Sequence, residues 1–138
     1  MKFDYKNFEL LLDTLLENHT SVTFPERFSL NIPRFIMRHD IDVGLECLGE
    51  IPNFEYESGV KATYFIQVAS AFYNPFCPSQ ACEIEKLLKM GHRLGLHFDN
   101  QKDEREISEQ EISEQIEQEI AIFQRYYSTV DAVSFHQP

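Results

Sequence analysis

Four short apolar runs of β-branched and aromatic character, separated by stretches with helical spacing, constrain the fold of this chain more than any other feature. The runs cover residues 34–39, 60–68, 93–98 and 130–135. Val60 to Val68 is the clearest, with Tyr64, Phe65 and Ile66 at its centre; such residues fit a pleated, buried surface. Between the runs, helices are expected after Asp42 up to Gly59, over 79–90 and over 107–127. In the last of these, Ile112, Ile116, Ile120 and Phe123 recur at helical spacing. Pro52 should break or bend the first, and Gly59 and Gly91 are natural left-handed stops. Strand, helix, strand, helix, strand, helix, strand is the pattern of parallel crossovers. Strands buried on both faces read as continuous apolar runs, as these do. The expectation is an α/β chain with about four parallel strands.

Before that core, Phe8, Leu11, Leu12, Leu15 and Leu16 fall on one stripe, predicting an amphipathic helix over 5–17. Residues 18–33, with Pro25 and Pro33, read as a connection holding a short strand near 21–24. The 138 residues form one domain, with 1–33 as N-terminal helix and connecting segment and 34–138 as the βα core. A content of 43% hydrophobic residues, including twelve Phe, excludes a disordered chain. A net charge of −11 argues against a nucleic-acid partner and against anionic lipid surfaces. The acidic face of the last helix reads as solvated surface, with packing against a partner as the alternative. No apolar stretch reaches membrane-spanning length, and the start lacks a secretory signal. Cys47, Cys77 and Cys82 contain no CxxC pair, so reduced thiols in a cytoplasm are the simplest reading. A Cys77–Cys82 bridge or a thiolate metal site is the alternative.

Polar residues gather at the C-terminal ends of the runs: Asp40 and Asp42, Gln67, His97 and Asp99, and His136. That rim is where parallel α/β folds build their sites. Residues two apart on an extended segment share a side, so Asp40 and Asp42 repel unless a cation lies between or beside them. Asp42, His97 and His136 could form an open three-ligand site for zinc, or for cobalt, nickel or manganese. Asp40 would then accept a proton from water, while Asp99 either binds the metal or orients His97. Against this stand plainer readings. Asp42 caps the following helix, both acids make Asx turns, and a lone histidine at a strand end is a hydrogen-bonding core residue. His39 and His92 read as structural, and His19 has no role.

The segments Arg38-His39-Asp40-Ile41-Asp42, Ala62-Thr63-Tyr64-Phe65, Gly91-His92-Arg93-Leu94-Gly95-Leu96-His97-Phe98-Asp99 and Ser134-Phe135-His136-Gln137-Pro138 together resemble the polysaccharide deacetylases of the NodB-homology type. These are carbohydrate esterases of family four, and the likeness is to divergent members found with surface-polysaccharide biosynthesis genes. It covers roughly residues 30–138. The resemblance implies a distorted (β/α) barrel and a divalent metal that serves removal of acetyl groups from N-acetylated sugars. It places Asp40 as the catalytic base, Asp42 as the metal aspartate, and His97 as the first histidine of a His-(Ser/Thr)-x-x-His motif. The second histidine of that motif is replaced by Gln101, so Asp99, His136 or Gln101 itself would have to fill the shell. His136 also falls where the family carries an arginine motif bracing the base, so brace and ligand are both open to it. The family's later strands, with the histidine that acts as general acid, have no counterpart. The resemblance therefore implies a truncated half-barrel with an open edge, self-associating or completed by a C-terminal complementing chain. An inactive remnant is the alternative.

Overall fold

A computed structural model describes residues 4–24, 33–100 and 107–136. The chain is α/β. Helix α1 spans Tyr5–Leu16, and the Asp4 carboxylate caps it by accepting from the Asn7 N–H at 2.9 Å. Its Phe8 and Leu12 are buried against Val60, Ile51 and Phe54. The short strand expected at 21–24 lies earlier: β1 (Thr20–Ser21) pairs in parallel with β2 (Arg34–Phe35).

The run expected to form one strand over 34–39 is split at Ile36. Its first part belongs to the two-stranded sheet, and β3 (Met37–Ile41) belongs to the main one. Asp40 therefore sits inside a strand and only Asp42 lies beyond its end. An acid is tolerated in β3 because Arg38, two residues back on the same side, neutralises it through contacts of 2.7 Å to both carboxylate oxygens. The helix expected between Asp42 and Gly59 is two pieces, a 3-10 turn at Leu45–Leu48 and α2 (Ile51–Glu57). Pro52 starts α2 rather than bending it, since a first-turn N–H needs no partner.

Strand β4 is Ala62–Ile66, shorter than its apolar run; α3 (Pro78–Lys89), β5 (Arg93–Phe98), α4 (Glu109–Tyr126) and β6 (Val130–Phe135) follow. Ser108 and Glu111 close a capping box on α4. Gly59 and Gly91 take positive φ of 74° and 87° at the stops expected of them. The sheet order β3-β4-β5-β6 follows the chain, and every pair is parallel.

One face of this sheet carries Tyr64, Ile66, Leu94, Leu96 and Phe98 against Ile84 and Leu87 of α3 and Phe123 of α4. A polar knot lies on the same side. Glu55 of α2 has no exposure. It meets His39 Nε2 at 2.6 Å and accepts from the Tyr64 hydroxyl at 2.5 Å. His92 Nδ1 accepts from the Ala62 N–H at 3.2 Å, and its Nε2 donates to the Pro52 carbonyl at 3.1 Å. Both histidines thus serve the fold.

The opposite face carries Arg38, Asp40, Phe65, Gly95 and His97. The Arg38 guanidinium lies 4.5 Å from the centre of the Phe65 ring. A Cβ on Gly95 would fall 2.5 Å from a Phe65 ring carbon, so glycine is what lets β5 pass under that ring. The three cysteines are free thiols, which removes the Cys77–Cys82 bridge. Cys77 caps α3 in extended backbone, while Cys82 lies more than a turn along it. Among the described residues no helix is long and apolar enough to cross a membrane.

Candidate metal centre

The site begins where the ladders run out. Ile41 pairs with Ile66, and Ile66 with Leu96; the next positions on these strands are Asp42, Gln67 and His97. One step further across, His97 pairs with Ser134. Four polar side chains thus occupy one row at the C-terminal rim. Beyond Ile41 and Ile66 the Tyr73 hydroxyl replaces ladder partners, accepting from the Gln67 N–H at 2.9 Å and donating to the Ile41 carbonyl at 2.8 Å. Burial raises the Tyr73 pKa, so the phenol stays a neutral donor. Tyr64 and Tyr73 are both engaged in the scaffold, through Glu55 and through the Ile41 carbonyl. The His136 N–H donates to the Phe98 carbonyl at 2.8 Å, which sets its ring edge-on to His97, centroids 5.0 Å apart.

Three atoms converge as a result. Asp42 Oδ1 lies 3.1 Å from His97 Nε2 and 3.1 Å from His136 Nδ1, and the two nitrogens lie 3.1 Å from each other. Protons satisfy such a triangle poorly. Each ring nitrogen carries at most one hydrogen, aimed along a single in-plane direction, while all three edges are short. A cation satisfies all three at once. Ligands about 2.0–2.1 Å from a tetrahedral zinc stand about 3.3–3.4 Å apart, close to what is found here. Asp42, His97 and His136 could therefore hold a metal ion. His97 is 3% exposed, while the side chain of Asp42 is 51% exposed and that of His136 27%, so the cluster has a fixed floor and an open upper side.

The orientation of His97 has its own cause. Its Nδ1 lies 2.9 Å from Ser134 Oγ, an arrangement that leaves the Nε2 lone pair for a metal once Nδ1–H donates to the hydroxyl. The sequence points to Asp99 for that task, whereas the structure places Ser134 there. Replacing Ser134 by alanine is expected to weaken zinc binding about tenfold, the low end of what such an orienting partner contributes. Isothermal titration of both proteins with zinc checks this, and equal affinities would refute it.

Of the other expected residues, Asp40 lies outside the triangle, clamped by Arg38, and lines with Asp42, Val43 and Gly44 a cavity of about 210 Å³. Asp99 is half-buried and absent from the cluster; its charge acts on Glu119 of α4. Gln101 lies outside the described residues. His136 lies with Asp42 and His97, and Arg38, two residues away in sequence, holds the Asp40 carboxylate.

Burial first, then the charge of Asp99, lifts the Glu119 carboxyl to about 7. The folded chain therefore holds this proton more tightly than the unfolded one, whose carboxyl titrates near about 4.3. Stability from this group is present below that value and is lost as pH rises toward 7. Glu119→Gln is expected to raise stability at pH 8 by about 1 kcal/mol, after allowance for solvent at a half-buried site, and to leave it nearly unchanged at pH 4. Thermal melts at the two pH values test the asymmetry; an equal shift at both would contradict it.

Compared with known proteins, the chain matches no family model, no curated protein and no solved structure.

Proposed function

We propose that this chain is a metal-dependent deacetylase of the NodB-homology type, or the N-terminal part of one. It would hydrolyse the acetamide of an N-acetylated sugar or polysaccharide intermediate. The observation that carries the reading is the meeting of one carboxylate and two imidazoles from three separate strands at the sheet's C-terminal rim. The sequential parallel order of four strands, with helices packed on one face, agrees with part of a (β/α) barrel. The donor set of two nitrogens and one oxygen fits zinc first, and cobalt, nickel or manganese as well. Such an ion supplies a Lewis acid for the acyl oxygen and acidifies water.

The chain's own residues do the rest. His97, oriented by Ser134, would hold the ion together with Asp42 and His136. Asp40 takes the proton of the attacking water through the lone pairs that Arg38 leaves unused. Water adds to the acyl carbon, the proton held by Asp40 passes to the leaving nitrogen as the C–N bond breaks, and acetate and the protonated amine result. Among the described residues β6 pairs only with β5, so its outer edge is open to a second copy or to a complementing chain. Three free thiols suit a reducing compartment such as the cytoplasm.

The test is metal analysis of the purified protein together with acetate release from N-acetylglucosamine oligomers, for wild type and Asp40→Asn. The expected result is about one zinc per chain in both, with acetate release lost in Asp40→Asn. A wild type that takes up no divalent metal would overturn the reading. A second reading, a metal-binding chain without hydrolytic activity, is favoured by the Arg38 clamp on the would-be base. Stoichiometric zinc with no acetate released would establish it.

A further inference from the structure

Gln67 occupies a position that the centre described above does not use. It is 3% exposed. Its backbone N–H is satisfied by Tyr73, but its carboxamide makes no hydrogen bond with any described residue. It follows Ile66 at the rim, between Asp42 on one neighbouring strand and His97 on the other. Phe65, two residues earlier, lies under Arg38 and against Gly95, so Gln67 shares the face that carries Arg38, Asp40 and His97. The polar side-chain atoms sealed from solvent without a partner are, among the described residues, Ser21 Oγ and Thr63 Oγ1. The Gln67 carboxamide is not one of them. A side chain packed along nearly its whole length therefore ends in an unpaired polar group that still opens onto accessible space. A ligand seated on the rim would cut this group off from water, so one that pairs it avoids the cost of leaving it unpaired.

We infer that Gln67 is a specificity-determining residue that accepts the N–H of the substrate's acetamide, an inference that rests on the deacetylase reading of the same site. A secondary amide presents its carbonyl and its N–H on opposite edges. With the carbonyl edge turned to the Asp42–His97–His136 cluster, the N–H edge needs a neutral acceptor on the surrounding floor. Gln67 Oε1 is such an acceptor, on a side chain already fixed by packing. Sites built to pair a substrate N–H discriminate strongly against molecules that lack it. The class of ligand selected is an N-acylated amino sugar, in preference to a sugar carrying only a free amine.

The experiment is calorimetric titration of the zinc-loaded full chain with the N-acetylglucosamine disaccharide and with its fully deacetylated counterpart. The proteins are wild type, Gln67→Leu, Gln67→Met and Gln67→Glu. Zinc affinity is expected to stay within about threefold in Gln67→Leu and Gln67→Met. The N-acetylated disaccharide should bind these two about tenfold more weakly than wild type, the factor expected for one lost hydrogen bond. Gln67→Glu keeps an acceptor and should retain the affinity, while the deacetylated disaccharide should not distinguish the proteins. Gln67→Met, close to glutamine in size, guards against a packing defect in the leucine variant. Unchanged disaccharide affinity in both apolar variants, or loss of zinc together with disaccharide, would overturn the inference. Wild type that binds zinc but not the disaccharide would overturn it and leave the metal centre standing. Wild type that takes up no zinc would remove the deacetylase reading itself.

Discussion

His97→Ala is expected to weaken zinc binding by more than about 100-fold, with Asp42→Ala close behind. The scale comes from comparison: removing only a partner that orients a ligand costs about 10–100-fold, and here the ligand atom itself goes. His97 is the extreme case because it is the buried member, 3% exposed. Water cannot easily take its place, whereas it can at the half-exposed Asp42. The effect is also visible in unfolding. A ligand at 100 times its dissociation constant stabilises a native state by about 2.7 kcal/mol, so zinc should raise the melting temperature of wild type and leave His97→Ala unmoved. A zinc-dependent rise of equal size in both proteins would mean that the triangle is held by hydrogen bonds alone.

The second large effect lies on the other side of the sheet. Glu55→Ala is expected to destabilise the fold by about 3–5 kcal/mol, the range for breaking a buried charged network from one side. The Tyr64 hydroxyl and His39 Nε2 both point at this carboxylate; Tyr64 is fully buried and would be left without it, while the partly exposed His39 keeps some access to water. Against a total stability of about 5–15 kcal/mol for a domain, that loss is a large share. Glu55→Gln should fall between, since an amide oxygen still accepts from Tyr64 but offers His39 no charge. Urea unfolding of the three proteins measures the series, and a loss below about 1 kcal/mol for Glu55→Ala would show that the knot is not structural.

How much of this could be read from the chain depends on what each residue reports. The runs around Tyr64, Leu96 and Val130 declared buried strands because apolar, β-branched and aromatic residues state burial directly. The isoleucines at 112, 116 and 120 declared α4 by their spacing. The run over 34–39 misled because apolarity reports that a segment is covered, not by which sheet. Ile36 is the point where pairing passes from β1 to β4. That β3 runs through Asp40 to Ile41 is compatible with the Arg38 contact that neutralises the carboxylate, which strand propensity does not encode.

At the site, Asp42, His97 and His136 were legible as strand-end residues able to bind metal, since period-two alternation and the C-terminal rim are general rules. The engagement of Asp40 by Arg38 was within reach of the same alternation, because the two share a side. Ser134 was not legible. A hydroxyl gains its meaning only from the residue opposite, and that pairing is set by an irregularity in the ladder.

That irregularity has a consequence for the chemistry. Leu94 stands opposite Val130, but Leu96 stands opposite Val133, so β6 carries one additional residue over this interval. Continued without it, the first alignment would bring Val133 beside His97, turn Phe135 toward the acidic rim, and send the His136 imidazole to the helix side. The meeting of His136 with Asp42 and His97 thus depends on a single unmatched residue between Val130 and Val133, whose presence sets which side the last strand shows.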